Sequence, residues 1–154
     1  MSNVRVYAAI VLLSSLVWAA PSWSAEGMVS VKSAYSAKET ADRLEQIVKS
    51  KNLNVFARID HAAGAKKIDK NLRPTDVLIF GNPQGGTPLM ECNQTVGIDL
   101  PLKALVWEDA SGQVWLGYND PTYLVARHKL SGCDNVAANI GKALGAIAKE
   151  ATSR

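Results

Sequence analysis

Residues 102–118, LKALVWEDASGQVWLGY, decide the fold. Leu102 to Glu108 and Gln113 to Tyr118 read as two strands. Asp109-Ala-Ser-Gly112 between them has the chemistry of a tight turn, with Gly112 free to take a positive φ at the end of a short loop. This is the clearest hairpin in the chain. Trp107 and Trp115 stand on its two arms, with Tyr118 and Tyr123 beyond, and aromatic residues close across antiparallel strands stabilise a sheet by packing. Left uncovered on one face, the same residues would make a dimer surface or an apolar ligand groove.

Working upstream, residues 75–80 (TDVLIF) form a continuous apolar run between Pro74 and Gly81-Asn-Pro83, which predicts a central strand buried on both faces. Residues 53–60 alternate, predicting a strand with Leu53, Val55, Ala57 and Ile59 on one side and Phe56, Arg58 and Asp60 on the other. Residues 62–71 predict a helical turn or two. Residues 81–92, with three glycines and two prolines, punctuate the fold, and a short helix is expected over 89–96. Nearer the N-terminus, residues 28–33 alternate as a first strand. Ser36-Ala-Lys-Glu39 is a capping box opening a helix whose apolar positions Ala37, Ala41, Leu44, Ile47 and Val48 follow the helical period and which ends near Lys51-Asn52. Downstream, Asp120-Pro121 starts a short helix to His128, and a last helix opens at Ser131-Gly-Cys-Asp134 with Val136, Ile140, Leu144 and Ile147 on one face. The order predicts a single α+β domain: a mostly antiparallel sheet of about five strands with two long helices on one face.

The chain has 154 residues, 47% of them hydrophobic, enough for one domain with a real core. Its net charge of +3 is scattered, and aromatic residues are not interleaved with Lys and Arg, so nucleic acid is not expected as a partner. Arg5 followed by the apolar run of residues 6–17 reads as a signal peptide over residues 1–24, with cleavage after Ser24, Ser22 or Ala19. The run is shorter than the ~20 residues that a membrane span needs, so no permanent anchor is expected. Residues 25–154 then form the exported domain, placed in the periplasm. Both cysteines, Cys92 and Cys133, lie in it, and an oxidising compartment predicts a disulfide, the alternatives being free thiols or a soft-metal site.

Arg58-Ile-Asp-His61, residues 78–83 (LIFGNP), 86–90 (GTPLM), 99–103 (DLPLK) and 117–121 (GYNDP) together resemble the exported members of domain-of-unknown-function family 302, with a matching core over about residues 58–123. The resemblance implies a β-α-β(4)-α domain, similar in topology to one half of a TATA-binding-protein saddle, that pairs into homodimers. It implies no reaction and no cofactor, and a shared topology does not carry DNA binding with it.

The candidate ligand-binding residues are Arg58, His61, Asn82, Thr87, Asn119 and Asp120, all near strand ends. Strand periodicity puts Arg58 and Asp60 on one face and His61 on the other. Asp60 is then expected to cap the next helical turn and Arg58 to pair with a carboxylate across the sheet. The sharper alternative is a ligand corner where Arg58 holds an anion and His61 ligates or moves a proton. His61, Met90 and His128 are the candidate metal ligands, without any H-x-x-x-H, C-x-x-C-H or Met-rich spacing to support them. His128, near a helix C-terminus, is expected to be solvated there. Residues 81–87 lack the Lys-Ser/Thr of a phosphate loop, and no G-x-S-x-G occurs. The leading expectation is a small periplasmic, non-enzymatic domain binding a small ligand or protein partner. The alternatives are a factor in metal, haem or redox handling, and a hydrolase or isomerase using Asp60 and His61.

Overall fold

The structure, a computed structural model, describes residues 25–154; the expected signal peptide lies outside the described residues. The strands are β1 (Met28–Lys32), β2 (Asn54–Asp60), β3 (Thr75–Gly81), β4 (Leu102–Glu108) and β5 (Val114–Asn119). They form one sheet in the order β1-β5-β4-β3-β2, with every neighbouring pair antiparallel. The two long helices, α1 (Ala37–Ser50) and α5 (Asp134–Thr152), cover one face. The shorter ones are α2 (His61–Lys66), α3 (Pro83–Cys92) and α4 (Pro121–His128), and a 3-10 segment spans Gln94–Ile98. Among the described residues no helix is long and apolar enough to cross a membrane.

The hairpin forms as its sequence predicts. The Asp109 carboxylate accepts from the Ser111 hydroxyl at 2.6 Å, the Ser111 amide at 2.8 Å, the Gln113 amide at 3.1 Å and the Trp115 indole at 2.8 Å, while Gly112 takes φ +83°. The Ser111 hydroxyl, and after it the Trp115 indole, hold this carboxylate well below the usual range. Helix α1 starts at its predicted cap, with Ser36 Oγ accepting from the Glu39 amide at 3.3 Å.

The main core lies between the sheet and the two long helices. Leu44 and Val48 of α1 and Leu144, Ile147 and Ala148 of α5 meet Leu78, Phe80, Val106 and Leu116 of the sheet, all buried. A second, smaller cluster of Leu89, Val96, Leu124, Leu130 and Cys133 packs α3 and the 3-10 segment against α4 and the start of α5. Cys92 and Cys133 are disulfide-bonded, tying the end of α3 to the N-cap of α5.

Three expectations need correction. Strand β2 carries a bulge between Val55 and Ala57, so Phe56 is an extra residue and the alternation reverses there. Val55 pairs with buried Phe80 and Arg58 with buried Leu78, which puts Val55 and Arg58 on the helix-covered face and Ala57 and Ile59 on the other. Strand β3 is interior to the sheet but is not buried on both faces. Leu78 and Phe80 are buried, whereas Val77 and Ile79 are half-buried on the uncovered side, because two helices cover only one face. Finally, the helix expected over 89–96 begins at Pro83. Asn82 caps it by accepting from the Gly85 amide at 2.9 Å, and Pro83 sits where a missing N–H costs nothing.

On the uncovered face Trp107 and Trp115 are directly opposite each other and stack with ring centroids 6.3 Å apart. The Trp107 ring lies over Gly117, where an added Cβ would be 3.0 Å from Trp107 Cζ3 and 3.2 Å from the Val29 carbonyl oxygen. Gly117→Val is therefore expected to destabilise the protein by about 1–3 kcal/mol through overpacking. Urea unfolding reads the cost, and weakened near-ultraviolet circular dichroism would report the displaced tryptophan pair.

Candidate functional site

The glycine- and proline-rich α3, the facing side of α5 and the ends of β2, β3 and β4 border a half-open cavity of about 800 Å³. Its walls are apolar: Phe56, Phe80, Leu100, Ile140 and Ile147 among them. Asn82, Gln84, Thr87 and Asn139 supply its polar side chains, and no Asp, Glu, Lys, Arg or His lines it. The volume falls in the range of small-molecule sites, roughly 300–1,000 Å³. The local sequence explains the space: Gly85, Gly86 and Gly97 carry no side chain, Ala143 carries only a methyl, and the prolines 83, 88 and 101 stiffen the rim. Chemically, such a lining selects uncharged, apolar molecules and orients them by a few neutral hydrogen-bonding groups. Apart from the Thr87 hydroxyl it offers no nucleophile, and it offers no side-chain acid or base.

The structure divides the candidate residues. Asn82, Thr87 and Met90 line the cavity, although the Asn82 side chain is also engaged as the α3 cap. Asn119 ends β5 and Asp120 caps α4 by accepting from the Thr122 amide at 2.8 Å; neither lines the cavity. Arg58 and His61 lie away from it, towards the end of the sheet where β2 leads into α2.

Arg58 is half-buried within a ring of carboxylates. Its guanidinium donates to Asp42 at 2.6 Å and to Asp76 at 2.8 Å, and Glu45 is 3.5 Å away. Partial burial works against its charge, but the hydrogen bonds to Asp42 and Asp76 outweigh that and raise its pKa. Lys38 first and Arg58 second hold the Asp42 carboxyl below its ordinary value; Lys49 does most for Glu45, with Arg58 contributing. The expected cross-sheet pairing is therefore present, on Asp76, and it joins β2 and β3 to α1. Arg58→Met is expected to cost about 1–2 kcal/mol, between an exposed pair and a fully buried one. Because the Asp42 and Glu45 values are depressed, their contribution is complete above their ordinary values of 3.8 and 4.5 and is lost as pH falls below them. The variant should show a shallower loss of stability with acid than the parent, measured by urea midpoints across that window.

Asp60 caps α2, accepting from the Ala63 amide at 2.8 Å, and His61 is the exposed first residue of that helix. Neither borders the cavity. His128 is not solvated: it is buried, with Nε2 2.5 Å from Asp99 Oδ2 and Nδ1 3.0 Å from Thr95 Oγ1, while its carbonyl accepts from Asn93 at 2.9 Å. The helix end folds back on the 3-10 segment, so the imidazole ties the two together. His61, Met90 and His128 thus occupy three separate places, and among the described residues no group of three or more His, Cys, Asp or Glu side chains is placed to hold a metal ion.

Most of the cavity escaped the sequence reading. Leu53, Phe56, Leu100, Val136, Ile140 and Ala143 come from three separate stretches, and none carries a local signal of a site. The one legible signal was the cluster of glycines and prolines between β3 and β4.

An antiparallel sheet with helices on one face and an apolar, uncharged cavity at one end defines a small α+β domain. The model of the family described as "Domain of unknown function DUF302" matches residues 29–147, and the chain belongs to that family. The crystal structure of an uncharacterised conserved DUF302 protein from Bacillus stearothermophilus superposes with a TM-score of 0.74 at 26% identity, over 82% of this chain and 99% of that one. Among curated proteins, "Fluoride-specific ion channel FluC 1" of Brucella suis biovar 1 is 51% identical over 111 residues, 72% of this chain and 44% of the relative. Its Brucella abortus biovar 1 namesake is also 51% identical, with 41% of its length matched. The chain thus spans less than half the length of the curated relatives it matches.

Proposed function

We propose that the chain is a non-enzymatic periplasmic domain that binds an uncharged, predominantly apolar small molecule in the cavity between α3, α5 and the end of the sheet. The observation that carries this reading is the lining: a volume of ligand size with neutral polar groups and no ionisable side chain. The periplasmic assignment rests on the apolar run of residues 6–17 read as a signal, and the homodimer is taken from the family resemblance. Mass spectrometry on protein purified under native conditions from periplasm tests the reading. A stoichiometric apolar compound released on unfolding is the expected result. Protein that carries none and leaves the fluorescence of the uncharged dye Nile red unchanged would remove the cavity as a binding site.

A second reading is favoured by the Brucella relatives, whose matched segment lies in longer chains named as fluoride channels. An ion channel needs membrane spans, and the described residues hold no helix able to provide one. On this reading the domain is an accessory unit of a fluoride channel. Deleting its gene should then raise the sensitivity of cells to fluoride, and an unchanged growth curve would count against it.

A further inference from the structure

We infer that α2 and the loop after it form a docking arm for an anionic phospholipid surface, a role separate from the cavity. Residues 66–74 are nine consecutive exposed positions, held in an ordered turn by backbone bonds such as Lys70 N–H to the Ala65 carbonyl at 3.0 Å. Residues 61–74 contain Lys66, Lys67, Lys70 and Arg73 against the single acid Asp69, a net +3 that equals the charge of the entire chain. Among the described residues none of these four cations is in an ion pair, whereas Arg58, Lys38 and Lys49 are all paired.

Between the cations stand Ile68, 69% exposed, and Leu72, 45% exposed, with Ile59 at 42% on the adjoining end of β2. Large aliphatic side chains held in water by a structured turn and surrounded by lysines match an interface that is acidic at its surface and hydrocarbon just beneath. A single-stranded nucleic acid would instead require aromatic platforms, and this arm has none. The arm lies where β2 ends and β3 begins, at the opposite end of the sheet from the cavity, so the domain can sit on a membrane with the cavity mouth turned away. The Brucella relatives carry the matching segment in longer chains named as ion channels, which supports a membrane as the partner.

The test is co-sedimentation of the domain from residue 25 onward, so that the apolar run of residues 6–17 cannot contribute. The Bacillus structure, 99% of which is matched, is this domain alone and folds. The expected result is binding to phosphatidylglycerol vesicles and not to phosphatidylcholine vesicles, weakened at about 0.5 M salt by screening. Lys66→Glu with Lys70→Glu should reduce binding at least about tenfold. Ile68→Ser with Leu72→Ser should weaken the part that survives in high salt, each pair keeping the parent's circular dichroism and unfolding midpoint. No binding to phosphatidylglycerol, binding untouched by both pairs, or retention on polyaspartate beads without vesicle binding would each overturn the assignment, the last in favour of an acidic protein.

Discussion

Replacing Ala143 by tryptophan is expected to lower the affinity for an apolar ligand at least about tenfold, equivalent to about 1.4 kcal/mol or more, with little change in the unfolding midpoint. Ala143 lies on α5 at the mouth of the cavity and is exposed, so an indole there enters ligand volume without displacing packed core. Ala138 is exposed on the same helix and does not line the cavity, which makes Ala138→Trp the matched control. Titration with the uncharged dye Nile red, followed by the compound that copurifies, reads both variants. Equal affinities for Ala143→Trp and parent would place the ligand elsewhere.

Reduction of the Cys92–Cys133 bond is expected to produce the largest loss of stability. The cysteines are 41 positions apart, and closing a loop of that size stabilises a fold by about 3–4 kcal/mol in the chain-entropy account, a factor of a few hundred in the folding equilibrium. The bond matters locally as well. Helix α3 contains two glycines and an internal proline, so its own propensity is poor, and it is held to α5 by this bond and the small cluster around Leu89 and Leu124. Urea unfolding with and without reductant, repeated on Cys92→Ser with Cys133→Ser, measures the effect. Coincident curves, or about two reactive thiols in unreduced protein, would contradict it.

Local chemistry made much of the fold legible. The Asp109 turn, the Ser36 cap and the Asp60 cap each depend on residues whose preferences are strong and short-ranged, and the chain's two cysteines leave one possible pairing between them. The errors arose where the decisive contact was distant. Nothing around Phe56 marks a bulge; it exists because Val55 and Arg58 must both meet partners on the covered face, one in Phe80 and the other in Asp42 and Asp76. His128 was read from its helix alone, and the Asp99 that buries it lies on another element.

The sequence by itself determined the fold class, the order of its elements and the family, because periodicity and turn residues act over a few positions and are written contiguously. Within the ARIDHAAGAKKID stretch of residues 57–69 the capping aspartate was legible in the sequence, whereas only the tertiary structure decided that the arginine is locked among three carboxylates and that the end of the stretch is an exposed cationic arm. It also moved the candidate site to the far end of the sheet. A cavity is a volume bounded by side chains from separate stretches, and that volume comes into being only when the stretches pack.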